Sequence, residues 1–320
     1  MGGRQEKYKQ TSVVKLMNQT INGASNATAA NIWDPFNEAL ATVNQQSVWI
    51  AVGMSTVALA LLIGVVGRKF TCEAESASLK KTVFNQINVL IFSLIVSNLL
   101  FEIFNALLGN LFADQSSDFA LSIAYSTIAN LFYFIFQFLL IYYSWVRNFP
   151  IIKNGAPWSL PYLRVAIVVY TILQATLFTI YVLSWVVSAE QLDALYAVLP
   201  NITLAAEIIL CTFDVFILIN FILFLHNSSR QNMTLAADQL KFTIIARFGI
   251  ATFVVVQLML ASTVGANEAF APSIPIMSVT TYTVLYNFQM YTPLVFIFLQ
   301  VAMKWSLLVM SEGSKVAPAS

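Results

Sequence analysis

The chain has few charged residues. Lysine, arginine, aspartate and glutamate make up 10% of its 320 residues, against about 25% in a typical soluble domain. Apolar residues make up 58% and fall in blocks of twenty or more. Such blocks cannot hide their apolar surface from water, but they are long enough for a helix to cross about 30 Å of hydrocarbon. The composition therefore excludes a soluble globular domain and predicts an all-α bundle embedded in a membrane.

Histidine and cysteine are nearly absent. The single histidine, His226, lies at the end of the fifth apolar block. The sequence therefore has no set of intramembrane histidines for a metal and no serine–histidine pair for hydrolysis. Neither of the two cysteines, Cys72 and Cys211, falls in an extracellular segment of the topology derived below, which excludes an extracellular disulfide framework. We expect neither an enzyme nor a bound metal or other cofactor.

Further absences narrow the class of membrane protein. The last span has no lysine before Lys304 at its end, so a retinal Schiff base has no site. The third and fourth spans contain neither glycine nor proline, whereas common transporter folds have helices broken by these residues. No cluster of basic residues is dense enough to follow a phosphate backbone. A nucleic-acid partner is therefore not expected.

Seven stretches have the length and apolarity of transmembrane helices. They are residues 48–66, 83–112, 119–146, 162–187, 199–226, 242–264 and 277–303. No apolar core of signal-peptide type precedes the first span, which is therefore expected to act as an uncleaved anchor. The chain divides into a largely disordered outer tail, 1–46, a seven-helix domain, 47–305, and a short cytoplasmic tail, 306–320.

Basic residues are confined to alternate connections. The connections after the first, third and fifth spans and the C-terminal tail contain Lys or Arg, whereas the other three contain only acidic charges. Because short basic loops stay on the cytoplasmic side, the N-terminus is predicted outside and the C-terminus in the cytoplasm. The glycosylation sequons at Asn18, Asn26 and Asn201 fall on the predicted outer side. The expected location is the plasma membrane.

Two acidic residues share a depth in the outer half of the predicted bundle. Glu102 and Glu207 lie about eight or nine positions below the outer ends of their spans, where each charge costs roughly 3 kcal/mol to insert. Together they favour a cationic ligand, such as an amine or a basic peptide side chain. The alternative is structural: each carboxyl is protonated, or is satisfied by neighbouring amides such as Asn98 and Asn105, one turn before and one turn after Glu102.

Polar and aromatic side chains accompany these carboxyls. Amides within the spans, Gln137 and Gln300 among them, are predicted to form interhelical hydrogen bonds. The predicted ligand-binding residues are Glu102, Asn105, Tyr125, Glu207, Tyr282 and Tyr286.

Three residues are candidates for a switch. Asp214 follows Glu207 by seven residues and so lies on the same helix face. Arg247 enters the sixth span near its cytoplasmic end, where its long side chain is predicted to reach Asp214 as a latch or as a static pair. Pro293 should kink the seventh helix, either as a moving part or as a fixed bend.

The topology resembles that of G-protein-coupled receptors along the whole chain. Seven spans, an outer N-terminus with sequons, short basic inner loops and a proline in the last helix carry the resemblance. Rhodopsin-like motifs are absent, since Ser144-Trp145-Val146-Arg147 stands in place of Asp-Arg-Tyr. The segments Thr82-Val83-Phe84-Asn85-Gln86 and Pro293-Leu294 are similar to fungal peptide-pheromone receptors. The resemblance implies an extracellular ligand and a cytoplasmic partner, either a G protein or another protein.

Three functions follow as hypotheses. The leading one is a cell-surface receptor that binds a ligand between the outer halves of its helices and signals by shifting the inner ends of the fifth and sixth. The second is a transporter or channel in which Glu102, Glu207 and Asp214 line a path for a cation or proton. The third is a structural subunit of a membrane assembly, with Gly64 and Gly67 in helix packing.

Overall fold

All regular structure in the described part of the chain is helical. The computed structural model describes residues 30–73, 85–113, 119–187, 189–230, 236–269 and 279–316. The long helices are α1 (Ala30–Glu73), α2 (Gln86–Ala113), α3 (Phe119–Gly155), α4 (Leu160–Leu183), α5 (Ala189–Arg230), α6 (Ala236–Ala269) and α7 (Val279–Val316), with a 3₁₀ turn (Pro157–Ser159) before α4. The predicted all-α class is confirmed.

Each of the seven helices contains a segment of 20 to 34 residues that is long and apolar enough to cross a membrane. The chain is thus an integral, multi-pass membrane protein. Most of the helices extend beyond the predicted spans, and the longest extensions are those of α1, which begins at Ala30, and of α7, which continues to Val316. These two extensions contain good helix formers, Ala, Leu and Glu in the first and Leu, Met and Glu in the second, so a helix continues there after the apolar run ends.

The helices pack in chain order into a closed ring. Each helix contacts the next, and α7 returns to contact α1 and, less extensively, α2. Consecutive helices are antiparallel, so that α1 and α7 run in the same direction and α2 runs in the opposite one. Ser47 of α1 donates to Asn287 near the start of α7, whereas Lys304 near the end of α7 donates to Asn88 at the start of α2. The side on which α1, α3, α5 and α7 begin is termed the N-side, and the opposite one the C-side.

Helix α3 lies toward the centre of the bundle. It contacts α2 and α4, its neighbours in the chain, and also α5. Its side chains Phe136, Leu140 and Tyr143 belong to the same buried cluster as Leu94 of α2 and Phe296 of α7. The rings of Tyr143 and Phe296 meet edge to face, with 6.0 Å between centroids. A central α3 brings its polar side chains within reach of α4, α5 and α7.

Large apolar side chains cover the outer surface of the bundle. On α4, Tyr162, Val165, Val169 and Ile172 are exposed, Tyr162 to 71%. Their spacing of three or four residues places them on one helix face. A soluble protein rarely exposes so continuous an apolar strip, whereas a membrane protein presents it to lipid acyl chains.

Candidate functional site

A cavity of about 110 Å³ opens between α2, α3 and α7 toward the N-side. Its walls are Asn98, Phe101, Asn105, Tyr133, Phe136, Met290 and Pro293. Asn105 was a predicted ligand residue and Pro293 a predicted switch residue, and the fold brings the two together. An engineered cavity of about 150 Å³ binds benzene, so in this conformation the cavity suits a small molecule or a few waters.

Glu102 follows Phe101 directly in the sequence, but unlike Phe101 it does not line the cavity. The side chain is 0% exposed, and among the described residues neither carboxyl oxygen has a hydrogen-bond partner. Asn98, one turn earlier, donates its amide to the Ser55 hydroxyl of α1 at 3.1 Å. The alternative in which Asn98 and Asn105 satisfy Glu102 is therefore not what the structure shows.

A run of polar side chains leads into the bundle from the half-buried Tyr133. Gln137 donates from Nε2 to the Tyr133 hydroxyl at 2.9 Å, and the Tyr170 hydroxyl of α4 donates to Gln137 Oε1 at 3.1 Å. Gln137 is 5% exposed and Tyr170 is 1% exposed. The predicted interhelical role of Gln137 is confirmed, since it links α3 to α4.

Tyr170 also approaches the two acidic residues of α5. Its hydroxyl lies within electrostatic range of both Glu207 and Asp214, which a seven-residue spacing places on one helix face. Glu207 is half-buried and Asp214 is buried. Glu102 belongs to α2, whose contacts are with α1, α3 and α7. The two carboxyls predicted to share a ligand site therefore lie in different parts of the ring.

A second cavity, of about 30 Å³, lies between α3, α5 and α6 toward the C-side. Its polar lining includes Arg147 and Asn148 of α3, Asp214 of α5 and Thr252 of α6. A water needs roughly 10–15 Å³ by this measure, so the cavity has room for about two. The C-side half of the bundle thus holds charged groups around a small polar space.

One glutamine joins three helices beside this cavity. Gln300 of α7 is 0% exposed. Its Oε1 accepts from the Tyr143 hydroxyl at 2.6 Å and from Arg147 Nη1 at 3.3 Å, and its Nε2 donates to Thr252 Oγ1 at 2.8 Å. The predicted interhelical role of Gln300 is confirmed, because these bonds tie α7 to α3 and α6.

Asp214 faces Arg147 across the cavity, and their opposite charges attract. Arg247, the predicted partner, is exposed instead, while Ile245 and Gly249 on either side of it line the cavity. A step of two residues turns a helical side chain by about 200°. Arg247 therefore points away from the cavity, and the electrostatic partner of Asp214 comes from α3 rather than α6.

The remaining predicted residues are dispersed. Tyr125 packs on Phe104 of α2, with 6.0 Å between ring centroids. Asn201 is exposed on α5. Tyr282 and Tyr286 belong to α7, but their side chains lie outside what the structure describes, as do the sequons at Asn18 and Asn26.

Sequence reasoning missed Tyr143, Tyr170 and Thr252, and it placed Arg147 in the third connection, as a charge that sets the topology or belongs to a basic inner face for a partner. Arg147 was misplaced because the predicted third span ended too early. The apolar run was predicted to end at residue 146, whereas α3 continues to Gly155 and keeps Arg147 inside the bundle. Tyr143 lies one turn before Arg147, a spacing that could have signalled a shared face.

No group of three His, Cys, Asp or Glu side chains suited to a metal ion occurs in the described segments. Comparisons with known proteins found no relatives: no family model matches the chain, and neither does any curated protein or solved structure. What the chain does must therefore be inferred from its own side chains.

Proposed function

We propose that the chain is a seven-helix cell-surface receptor, in which a small ligand bound on the N-side alters packing on the C-side. One observation carries the proposal. A run of polar side chains, termed the polar chain, leads from Tyr133 in the N-side cavity through Gln137 and Tyr170 to Asp214 in the C-side cavity. Hydrogen bonds join Tyr133, Gln137 and Tyr170, and Tyr170 lies within electrostatic range of Asp214, so the chain extends from one cavity to the other.

The ligand proposed is a small organic cation. The rings of Phe101 and Tyr133 lie 5.4 Å apart in the cavity wall, and aromatic faces attract cations. The amide oxygens of Asn98 and Asn105 are acceptors beside them. Glu102 adds a carboxyl one turn away on α2. A peptide would require the cavity to widen first. The alternating basic connections support an N-side that faces outward.

The C-side cluster is proposed to hold the resting state. Gln300 ties α7 to α3 and α6, and Asp214 draws α5 toward Arg147. A ligand that displaces Tyr133 would pull on Gln137 and Tyr170, and so on the acidic face of α5. Packed interfaces tend to have two discrete arrangements, so a small displacement can be amplified into a helix shift. The cytoplasmic partner implied by the resemblance is a G protein.

Proton transport is the second candidate, since the polar chain passes close to Glu207 as well as Asp214. Gln137 argues against it. An amide donates only from nitrogen and accepts only at oxygen, so Gln137 cannot hand on a proton without changing its tautomer. The contacts through Gln137 are better suited to mechanical coupling than to proton relay.

Reconstitution in liposomes separates the two functions. The purified protein would be exposed to a panel of small primary and quaternary amines, with nucleotide exchange on added G protein and ion or proton flux measured in parallel. The receptor proposal expects ligand-dependent exchange without flux. Flux that Glu102→Gln abolishes would overturn it in favour of transport.

A second readout does not depend on the partner. Spectroscopic labels at Lys153 of α3 and Arg247 of α6, both exposed toward the C-side, would report the distance between the two helices after Cys72 and Cys211 are replaced. An active amine should change that distance. Asn105→Leu should weaken the response, whereas Asn130→Leu, outside the cavity on α3, should not. An unchanged distance with every amine would contradict the proposal.

A further inference from the structure

Basic side chains from two helices meet at the C-side. Arg68 and Lys69 lie near the end of α1, and Lys304 near the end of α7. The Arg68 guanidinium carbon lies 4.9 Å from the centroid of the Trp305 ring. Lys304 donates to the side-chain oxygen of Asn88 at the start of α2, and it is close enough to Lys69 for the two charges to repel.

Two like charges held this close repel each other. Lys304 is half-buried and Lys69 exposed, so the repulsion between them is only partly screened by solvent. A single cation would suffice to anchor the helix ends on the cytoplasmic side. The fold instead directs two lysines toward each other beside an arginine. A negatively charged group placed among them would turn the repulsion into attraction.

The level of the cluster in the bilayer indicates the source of the anion. Trp305 is 42% exposed, and exposed tryptophan rings sit at the headgroup level of a membrane. Toward the N-side, α1 presents Val57, Leu61 and Gly64 on the same exposed face as Arg68. A side chain at Gly64 would meet nothing within 4 Å. An apolar strip with open space at Gly64 thus runs along α1 to the cationic cluster. Its arrangement matches that of an acyl chain that ends at a charged headgroup.

We propose that the C-side ends of α1 and α7 bind one anionic phospholipid, whose headgroup phosphate is held by Lys69, Lys304 and Arg68. Its acyl chain lies along the exposed face of α1. Basic pockets between transmembrane helices bind multiply charged headgroups in this way. The site is independent of the N-side cavity, so it holds whether or not the receptor proposal does.

Native mass spectrometry of the full-length protein in detergent tests the site. The probes are phosphatidylinositol phosphate and, as the neutral comparison, phosphatidylcholine with the same acyl chains. The wild-type protein should retain one molecule of the anionic lipid and no molecule of the neutral one. Lys69→Gln and Lys304→Gln should each weaken retention about fivefold. Glutamine at 304 keeps a donor for Asn88, so that variant should remain folded.

The matched control is Lys153→Gln, which removes the same charge from an exposed position on the C-side end of α3. It should change retention less than twofold. Equal losses in all three variants would show general surface attraction and overturn the site. Free inositol phosphate should displace the lipid only at large excess, since it lacks acyl chains; equal competition would assign the cluster to a soluble anion. A dimer that Lys69→Gln dissociates would assign this face to a second copy of the chain.

Discussion

Two ionisable side chains inside the bundle, the buried Glu102 on the N-side and the half-buried Arg147 on the C-side, are accommodated differently. On the N-side, Glu102 is fully buried, and no described group makes a hydrogen bond to its carboxyl. On the C-side, Arg147 donates to Gln300 from Nη1 and faces the opposite charge of Asp214, although its Nε has no hydrogen-bond partner among the described residues. Placing an ionisable group among membrane helices is costly, and only the C-side offsets part of that cost with partners.

The difference indicates that the C-side cluster stabilises the bundle, whereas the surroundings of Glu102 are ready to accept a ligand. Satisfied buried networks rigidify a bundle, and the C-side cluster joins α3 to α6 and α7 while drawing α5 inward. An unsatisfied buried group calls for an explanation, such as a functional role or an ion that completes it. Glu102 lies beside the cavity proposed to bind a cation. Mutations that remove partners should therefore weaken the C-side more than the N-side.

The largest effect is expected from Arg147→Met. It removes one of the two donors to Gln300 Oε1 and leaves Asp214 buried without its counter-charge, which should cost about 2–3 kcal/mol of unfolding free energy. An unfolding titration in mixed micelles measures this. The matched control is Arg164→Met, an exposed arginine on α4. Equal losses in the two variants would show that the C-side cluster is not stabilising.

Gln300→Leu should rank second. Hydrogen bonds between membrane helices contribute about 0.6 kcal/mol each on average, and Gln300 makes three. The expected loss is about 2 kcal/mol, whereas Thr252→Val, which removes only one of the three, should lose about 0.6 kcal/mol. If the two variants lost the same amount in the same titration, Gln300 would not act as the joint between α3, α6 and α7.

Tyr170→Phe tests the middle of the polar chain. It removes the hydroxyl that donates to Gln137 but keeps the ring, so a loss of about 1 kcal/mol is expected. Tyr162→Phe on the same helix serves as control, because its side chain is 71% exposed. Ligand-induced movement of the labels at Lys153 and Arg247 should also diminish in the Tyr170 variant alone. If the labels moved as far in Tyr170→Phe as in the wild-type protein, Tyr170 would not belong to the proposed coupling route.

Much of the fold was predictable because the bilayer imposes a simple rule. A helix that crosses hydrocarbon needs an apolar run of fixed length, and seven such runs stand out in the sequence. The ends of the helices were less predictable, since α3 passes beyond its apolar run to Gly155 and α1 begins at Ala30. Residues with good helix propensity follow the apolar runs, so the helix continues where the hydropathy falls. Hydropathy alone therefore does not mark the residue at which a helix ends.

The site was predictable only in part, because the sequence does not show which way each helix is turned about its own axis. Hydropathy gives the depth of a residue but not the direction in which it points around its helix. Glu102 and Glu207 share a predicted depth, yet the ring separates α2 from α5. Arg247 is near the level of Asp214 but faces outward. Gln137 and Gln300 bond between helices as predicted for amides within the spans, whereas Asn130 bonds to the Ser126 carbonyl of its own helix.

The smallest effect is expected from Glu102→Gln. The substitution breaks no hydrogen bond among the described residues and removes a group that is costly to bury, so stability should change by less than about 0.5 kcal/mol or rise slightly. Asp214→Asn, the matched carboxyl-to-amide change, loses the attraction to Arg147 and should cost about 1 kcal/mol. A larger loss from Glu102→Gln than from Asp214→Asn would reverse the comparison between the two sides. Glu102 would then have a partner in solution, such as a bound cation, and the N-side would hold its ligand at that carboxyl rather than in the neighbouring cavity.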